Sequence, residues 1–295
     1  MPAVTDVLRC PSCSSSSFVR EPHRLLCSAC QFVAPLNGAG FYRTAPTKTE
    51  QAQSLLEHQE LDFYTNSTFK TFTLRRGSQA LKEAIAPLHP GVWVDIGCGT
   101  GGHALTFASS YGMYVGLDPS DVPEGLRRTA PFPENTIFVQ HDSEKPMPVA
   151  DQSVDLVSFI ASYDHIPNRP DVLRDSWRIL KPGGHLLIEL TNYGFWLKRL
   201  VNAVSREQKF THAHDHFCVH DPDTLLAEVR DAVPSAKLAY KMASWRHVPN
   251  LPKRAARIYR SQAMLETLDQ SLGWLFTRAL RRDDLGAEML LLFSK

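Results

Sequence analysis

The sequence predicts an α/β fold, a mostly parallel sheet with helices on both faces, behind a small N-terminal module stapled by cysteines. Three observations predict it. From Pro90 onward, short apolar runs alternate with helical stretches, the pattern of strands joined by crossover helices. A glycine-rich turn, Gly97-Cys98-Gly99-Thr100-Gly101-Gly102, follows the first of those runs. Four of the six cysteines crowd into positions 1–30. At roughly 150 residues per domain, 295 residues suit one large domain plus a small attachment. Lys+Arg 32 against Asp+Glu 31, with 43% hydrophobic residues, allow a sizeable core and exclude a polycationic nucleic-acid coat. No run approaches the roughly 18 apolar residues of a membrane span, and Met1–Leu8 lacks the basic-then-apolar build of a leader. The chain therefore reads as soluble and cytoplasmic, with no membrane partner.

Cys10-Pro11-Ser12-Cys13 and Cys27-Ser28-Ala29-Cys30 are two CxxC pairs separated by 13 residues. Each tight turn aims two thiolates at one point, and two turns complete a closed tetrahedral shell, the geometry of structural zinc. Between them, Phe18-Val19-Arg20 and His23 to Leu26 are expected to pair as a hairpin around Glu21-Pro22. Residues 1–45 are therefore read as a zinc ribbon, too small for a core of its own, whose folding free energy comes largely from metal binding. With four protein ligands there is no open position, so this metal is expected to be structural.

Residues 46–295 carry the sheet. Expected strands are Val92–Gly97, Met113–Asp118, Thr136–Asp142, Val154–Ser162 and His185–Thr191, with Ala236–Trp245 and Glu288–Ser294 closing the sheet at seven. A helix is expected from Arg169, with Pro170 in its first turn and Val172, Leu173, Trp177 and Leu180 on one face, stopped by Lys181-Pro182-Gly183-Gly184. A second begins at Asp221-Pro222-Asp223, an acidic cap followed by proline, with Leu225, Leu226 and Val229 facing inward. Residues 46–90 read as leading helices, and 193–220 and 246–286 as insertions longer than the connections require.

The glycines permit a strand-to-helix turn in which a ligand touches backbone, where a Cβ would collide. Gly97, Gly99 and Gly102 also satisfy the GxGxxG of dinucleotide binding, with Asp118 at the distance of its ribose-binding acid, so the glycines alone do not choose the cofactor. Asp95, two residues before the first glycine, would repel a pyrophosphate and attract an amino group. Asp142-Ser143 ends the third strand with an acceptor and a donor for an adenine edge, and Lys181-Pro182-Gly183-Gly184 turns sharply into the fifth. In this combination the chain resembles class I, Rossmann-like S-adenosylmethionine-dependent methyltransferases from about Thr47 to Lys295. The resemblance implies a seven-stranded sheet with an antiparallel last strand. It implies that Asp95, Gly97, Gly99 and Gly101 surround the methionine half of the cofactor, that Asp118, followed by Pro119, holds the ribose, and that Asp142 and Ser143 meet the adenine. Cys98 is expected merely to pack.

Methyl transfer is an in-line displacement, so the protein has to hold the acceptor at about 3–3.5 Å and remove a proton from a hydroxyl. Candidate bases belong outside the carboxyl ends of the strands. Ser162-Tyr163-Asp164-His165 follows the fourth strand, and His165 is one candidate. Thr211 to His220 holds four of the twelve histidines; if extended, it presents His212, His214 and His216 on one face. That stretch reads as a base with substrate contacts, a second metal site or a structural loop; His214 and His216 are the preferred bases.

Tyr64 and Phe69 are candidate pocket residues on the leading helices, or ordinary core. Tyr193, Phe195, Trp196, Leu197 and Leu200 form an apolar insert suited to capping a small molecule. Lys253, Arg254, Arg257 and Arg260 make a basic stretch with no acid, followed by Leu265, Leu268, Leu272, Leu275 and Phe276 at helical spacing. The preferred expectation is methyl transfer to an O or N atom of a small-molecule acceptor, such as a secondary metabolite or sugar derivative. The alternative is RNA base methylation with the zinc ribbon as the docking module, because the layout also resembles bacterial large-subunit ribosomal RNA guanine methyltransferases. The chain departs from them in having Cys30 where they have a later histidine, and in a net charge of only +4 −2 = +2 over residues 1–45. The sequence does not determine the oligomeric state.

Overall fold

The computed structural model describes residues 7–36, 42–44, 67–119, 132–142, 145–197, 200, 220–249 and 256–295. The N-terminal module is a three-stranded antiparallel sheet of β1 (Phe18–Glu21), β2 (Arg24–Cys27) and β3 (Val33–Pro35). The expected hairpin forms with Glu21 opposite Arg24, so its two-residue turn is Pro22-His23. The third strand had no pattern of its own, being three residues long and paired through Leu25 and Ala34.

The main sheet has the order β10-β11-β9-β8-β5-β6-β7-β4. Its strands are β4 (Tyr42–Arg43), β5 (Val92–Ile96), β6 (Met113–Asp118), β7 (Thr136–Gln140), β8 (Val154–Ile160), β9 (Leu180–Thr191), β10 (Lys237–Arg246) and β11 (Glu288–Ser294). All seven expected strands form, and β11 runs antiparallel to both neighbours. The eighth is β4, which the sequence reading assigned to the zinc ribbon; it pairs parallel to β7 instead, Tyr42 opposite Val139. The helices are α1 (Ser67–Ile85), α2 (Gly102–Thr106), α3 (Arg169–Ile179), α4 (Pro222–Ala232) and α5 (Gln262–Trp274). Asp221 caps α4 by accepting from Thr224 N–H at 2.9 Å, as the acid-proline start predicts. Leu180 leaves α3 for β9, because its backbone is already extended.

Alternate residues of β5 feed two cores. Val92, Val94 and Ile96 pack with Val157, Ile188 and Leu291 on one face. Trp93 packs with Tyr114, Leu156, Leu187 and Leu290 under Leu81 and Ile85 of α1 on the other. The first core also takes in Val7, Leu8, Phe18, Leu25 and Ala34, so the boundary expected at residue 45 is not a break in packing. Backbone bonds reinforce that join, Arg9 N–H to Pro148 and Ala150 N–H to Val7.

From β5 the chain goes to β6 and β7 on one side, then returns to β8 and β9 on the other. The reversal lies between β5 and β8, and in an open sheet ligands bind outside the carboxyl ends of the strands at such a point. Gly97–Gly101 and Ser162–His165 leave the sheet there.

Candidate active site and cysteine cluster

Gly97, Gly99 and Gly101 all adopt left-handed backbone, at φ +74°, +52° and +77°. A Cβ would stand 2.4 Å from Ser162 Cβ at Gly97 and 2.5 Å from the Phe138 ring at Gly101. A Cβ at Gly102 meets nothing within 4 Å. The third glycine of a dinucleotide fingerprint exists to let helix and strand pack closely, and Gly102 has no such duty. The turn is closed by Gly97 and Cys98 N–H groups on Leu117 O, and by Gly99 N–H on Asp118 Oδ2 at 2.8 Å. Cys98 is buried in the core beside Gly116, where a Cβ would stand 2.7 Å from its sulfur.

Asp95 is only 1% exposed. Ser158 Oγ–H donates to its Oδ1 at 2.6 Å and is itself fixed by Trp93 Nε1–H at 2.7 Å. Tyr114 O–H donates to Oδ2 at 2.6 Å, and His103 Nδ1 lies 3.1 Å from the same oxygen. Burial and the neighbouring carboxylate push the Tyr114 hydroxyl well above its ordinary value, which keeps it a donor. The carboxylate thus underlies the glycine turn, and His103, 30% exposed in its side chain, stands between it and the outside. Sequence reasoning missed His103, Tyr114 and Ser158. His103 directly follows the glycines and was open to notice; the other two meet Asp95 only through strand register.

Asp118 ends β6 and is buried; its backbone carbonyl accepts from His141 N–H. Pro119 O lies 3.4 Å from Gln140 Nε2, and Asp142 is buried just beyond β7. Asp118 pairs in register with Gln140, so Asp142 lies two residues past the position opposite Asp118, on the neighbouring strand end. His141 joins this group to β4 through Thr44 Oγ1 at 3.2 Å, and burial lowers its pKa. Ser143 lies outside the described residues.

On the other side of the reversal, Ser162 Oγ–H donates to Ile96 O and Tyr163 is fully buried. His165 sits on a short 3-10 turn, its Nε2 3.9 Å from Asp164 Oδ1. Tyr163 O–H and Arg169 Nε–H donate to Glu228 Oε1 at 2.9 and 2.8 Å, and His220 Nε2 lies 2.8 Å from Oε2. Burial raises the Glu228 pKa, but His220, Tyr163 and Arg169 outweigh it and bring it to about 2. His220 is therefore an anchor, where the 193–220 insertion returns to α4. His212, His214 and His216 lie outside the described residues, as do Tyr64 and the side chain of Phe69.

The two insertions meet above the ends of β9 and β10. Asn192, fully buried, donates through Nδ2 to Asp284 O and Gly286 O, both at 2.7 Å. Trp196 Nε1–H donates to His247 O, and its ring lies 6.0 Å from Phe276. Asp269 of α5 accepts the N–H groups of His247 and Val248. Val248, Tyr259 and Leu265 bury Phe72 of α1 in a third core, so the leading helix and the C-terminal insertion form one cover. Of the basic stretch, Lys253 and Arg254 lie outside the described residues, and Arg257 and Arg260 are exposed.

In the N-terminal module, the sulfurs of Cys10, Cys13, Cys27 and Cys30 all lie within 4.8 Å of one another. Cys10 to Cys30 and Cys13 to Cys27 are each 3.6 Å. Both turns have the same build: Ser14 N–H returns to Cys10 O and Gln31 N–H to Cys27 O, with Ser14 at φ +60° and Gln31 at +63°. Burial pushes the Cys27 thiol up, but the N–H groups of Cys30 and Ala29 outweigh it and bring it to about 7. No other group of three or more metal-ligating side chains occurs among the described residues.

Residues 94–188 match the family described as a methyltransferase domain. The chain is 28% identical over 131 residues to the ubiquinone biosynthesis O-methyltransferase of Aliivibrio fischeri (strain MJ11), covering 42% of this chain and 56% of that protein. It is 30% identical over 125 residues to the 27-O-demethylrifamycin SV methyltransferase of Amycolatopsis mediterranei (strain S699), covering 39% and 46%. The chain thus spans about half the length of the curated relatives it matches. In fold, it is similar to a chain from the Haloferax volcanii complex of the Trm112 methyltransferase activator, at a TM-score of 0.52 and 17% identity over 76% of this chain and 92% of that one. The glycine turn and the two acids at neighbouring strand ends fall within the matched region. Over that region the chain resembles class I S-adenosylmethionine-dependent methyltransferases, on a Rossmann-like sheet with a four-cysteine module in front of it.

Proposed function

We propose that the chain transfers a methyl group from S-adenosylmethionine to an O or N atom of a small molecule. The observation that carries this is the left-handed glycine turn at the β5/β8 reversal, with Asp118 and Asp142 at the ends of the neighbouring strands β6 and β7. The donor set fits the cofactor: Asp118 for the ribose hydroxyls, Asp142 with Ser143 for the adenine edge, and Gly97, Gly99 and Gly101 with Pro119 as the backbone wall. Asp95 serves the methionine end from beneath the turn, with His103 between them. Bound there, the sulfonium supplies an electrophilic methyl group with a neutral thioether leaving group.

The protein's own part is to hold the acceptor in line, exclude water and accept a proton from a hydroxyl. The cover made by Trp196, Phe276 and α1 suits an apolar acceptor, and two relatives are named for O-methylation of small molecules. We assign the base to His165, His214 or His216. His165 Nε2 would receive the proton just beyond the carboxyl end of β8, where it lies 3.9 Å from Asp164 Oδ1.

The four-thiol site suits structural zinc. Four sulfurs bound at about 2.3 Å in a tetrahedron stand about 3.8 Å apart, close to the 3.6 Å contacts. RNA docking by this module is less favoured, because Arg24 is bonded to Glu21 and Arg20 to the Tyr42 hydroxyl.

Calorimetry with S-adenosylmethionine tests the cofactor. Binding is expected for the full chain, weakened about tenfold or more by Asp118→Ala through loss of charged hydrogen bonds. No heat from the folded wild type would remove the reading. For the base, turnover should fall and cofactor binding survive in one of His165→Ala, His214→Ala and His216→Ala; unchanged turnover in all three sinks the assignment.

A further inference from the structure

The C-terminal insertion presents a surface that methyl transfer does not use. α5 turns Leu265 and Asp269 inward, with Leu272 packed partly beside them. Met264, Leu268, Trp274 and Leu275 face outward, and Leu280 follows just beyond. Trp274, at 64%, is the most exposed large apolar residue among those described. At 100° per residue these side chains fall within roughly a third of the circumference, an arc they share with the exposed Thr267 and Ser271.

Arginines flank that arc. Arg257 and Arg260 precede α5, Arg278 and Arg281 follow it, and all four are exposed with no ion pair among the described residues. Three of the acids nearby are engaged with other arginines: Glu266 with Arg75, Asp269 with Arg76 and Asp284 with Arg282. A chain of net charge +1 has thus gathered unpaired cations around an exposed tryptophan and its aliphatic neighbours.

We propose that this face docks the protein on an anionic lipid bilayer. Tryptophan and leucine enter the boundary between headgroups and acyl chains, while arginines at the rim meet lipid phosphates. Charge complementarity selects this occupant. A second copy packed two-fold on the same face would bring two sets of unpaired arginines together. A nucleic acid would neutralise the arginines and leave Met264, Leu268, Leu275 and Leu280 against water. No helix among the described residues is long and apolar enough to cross a membrane. The inference is independent of the proposed reaction.

The test is co-sedimentation of the full chain with phosphatidylcholine–phosphatidylglycerol vesicles and with phosphatidylcholine vesicles. Binding is expected only to the first, declining with salt. Trp274→Ser with Leu275→Ser, and separately Arg278→Ser with Arg281→Ser, should each reduce partitioning about tenfold. Thermal melting should stay unchanged, since all four residues are exposed. The proposal is overturned if the wild type does not sediment with anionic vesicles at low salt, or if both variants partition as the wild type does. It is also overturned if light scattering finds a dimer that Trp274→Ser with Leu275→Ser makes monomeric. Binding to RNA but not to vesicles, lost only with the arginines, would likewise overturn it.

Discussion

A methyl group added at Gly97 has nowhere to go: the backbone is left-handed, and Ser162 Cβ stands 2.4 Å from the new atom. Gly102, five residues on, is a helical residue with open space around it. The two glycines look alike in sequence and differ in physical duty, which gives a paired prediction. Gly97→Ala should destabilise the protein by about 1–3 kcal/mol in denaturant melts and impair cofactor binding. Gly102→Ala should be neutral or stabilising by up to about 1 kcal/mol, because alanine is the better helix former. Equal costs at the two sites would contradict the assignment of the turn. His103 invites a related comparison. With its Nδ1 at 3.1 Å from Asp95, it acts as a positioning residue, so His103→Ala should raise KM for the cofactor while kcat changes less, and His103→Asn should restore part of the loss.

Between elements, the cluster on Glu228 ties α4, the turn after β8 and the returning end of the 193–220 insertion into one joint. Its pKa is brought from the ordinary 4.5 to about 2 in the folded protein. A depressed carboxylate contributes stability above its unfolded pKa and loses it as pH falls through the folded value. The window is therefore between about pH 5 and pH 2. Over that window the wild type should lose about 2 kcal/mol that Glu228→Gln does not, once the shift is discounted for partial solvent access. Chemical denaturation at several pH values measures it, and parallel pH profiles for the two proteins would refute the joint. The sequence showed α4 and its cap plainly, because Asp221-Pro222-Asp223 is a local pattern. It could not show that His220, one of four clustered histidines, is bound to Glu228, since that pairing depends on how α4 packs beside the β8 turn.

At the scale of the molecule, the cysteine module is a staple on the sheet and not a bead on a tether. Phe18, Leu25 and Ala34 share a core with Val139 and Val149, and β4 extends the main sheet. About one zinc per chain is expected by elemental analysis. Removing it with a chelator, or by Cys10→Ser plus Cys30→Ser, should lower the melting temperature of the whole chain in a single shifted transition. A separate, early transition confined to the module would show that the shared packing carries little coupling. The sequence by itself determined whatever local spacing writes: seven strands from apolar runs, the helix caps, the four-thiol cluster from two CxxC turns, and the glycine turn with Asp118 and Asp142. Tertiary structure alone decided what depends on residues far apart in the chain meeting in register. It placed Ser158 and Tyr114 on Asp95, gave Tyr42–Arg43 to the larger sheet, made His220 an anchor, and joined α1 to the C-terminal insertion over a shared core. A strand's pattern says which face is buried, but not which neighbour it is buried against.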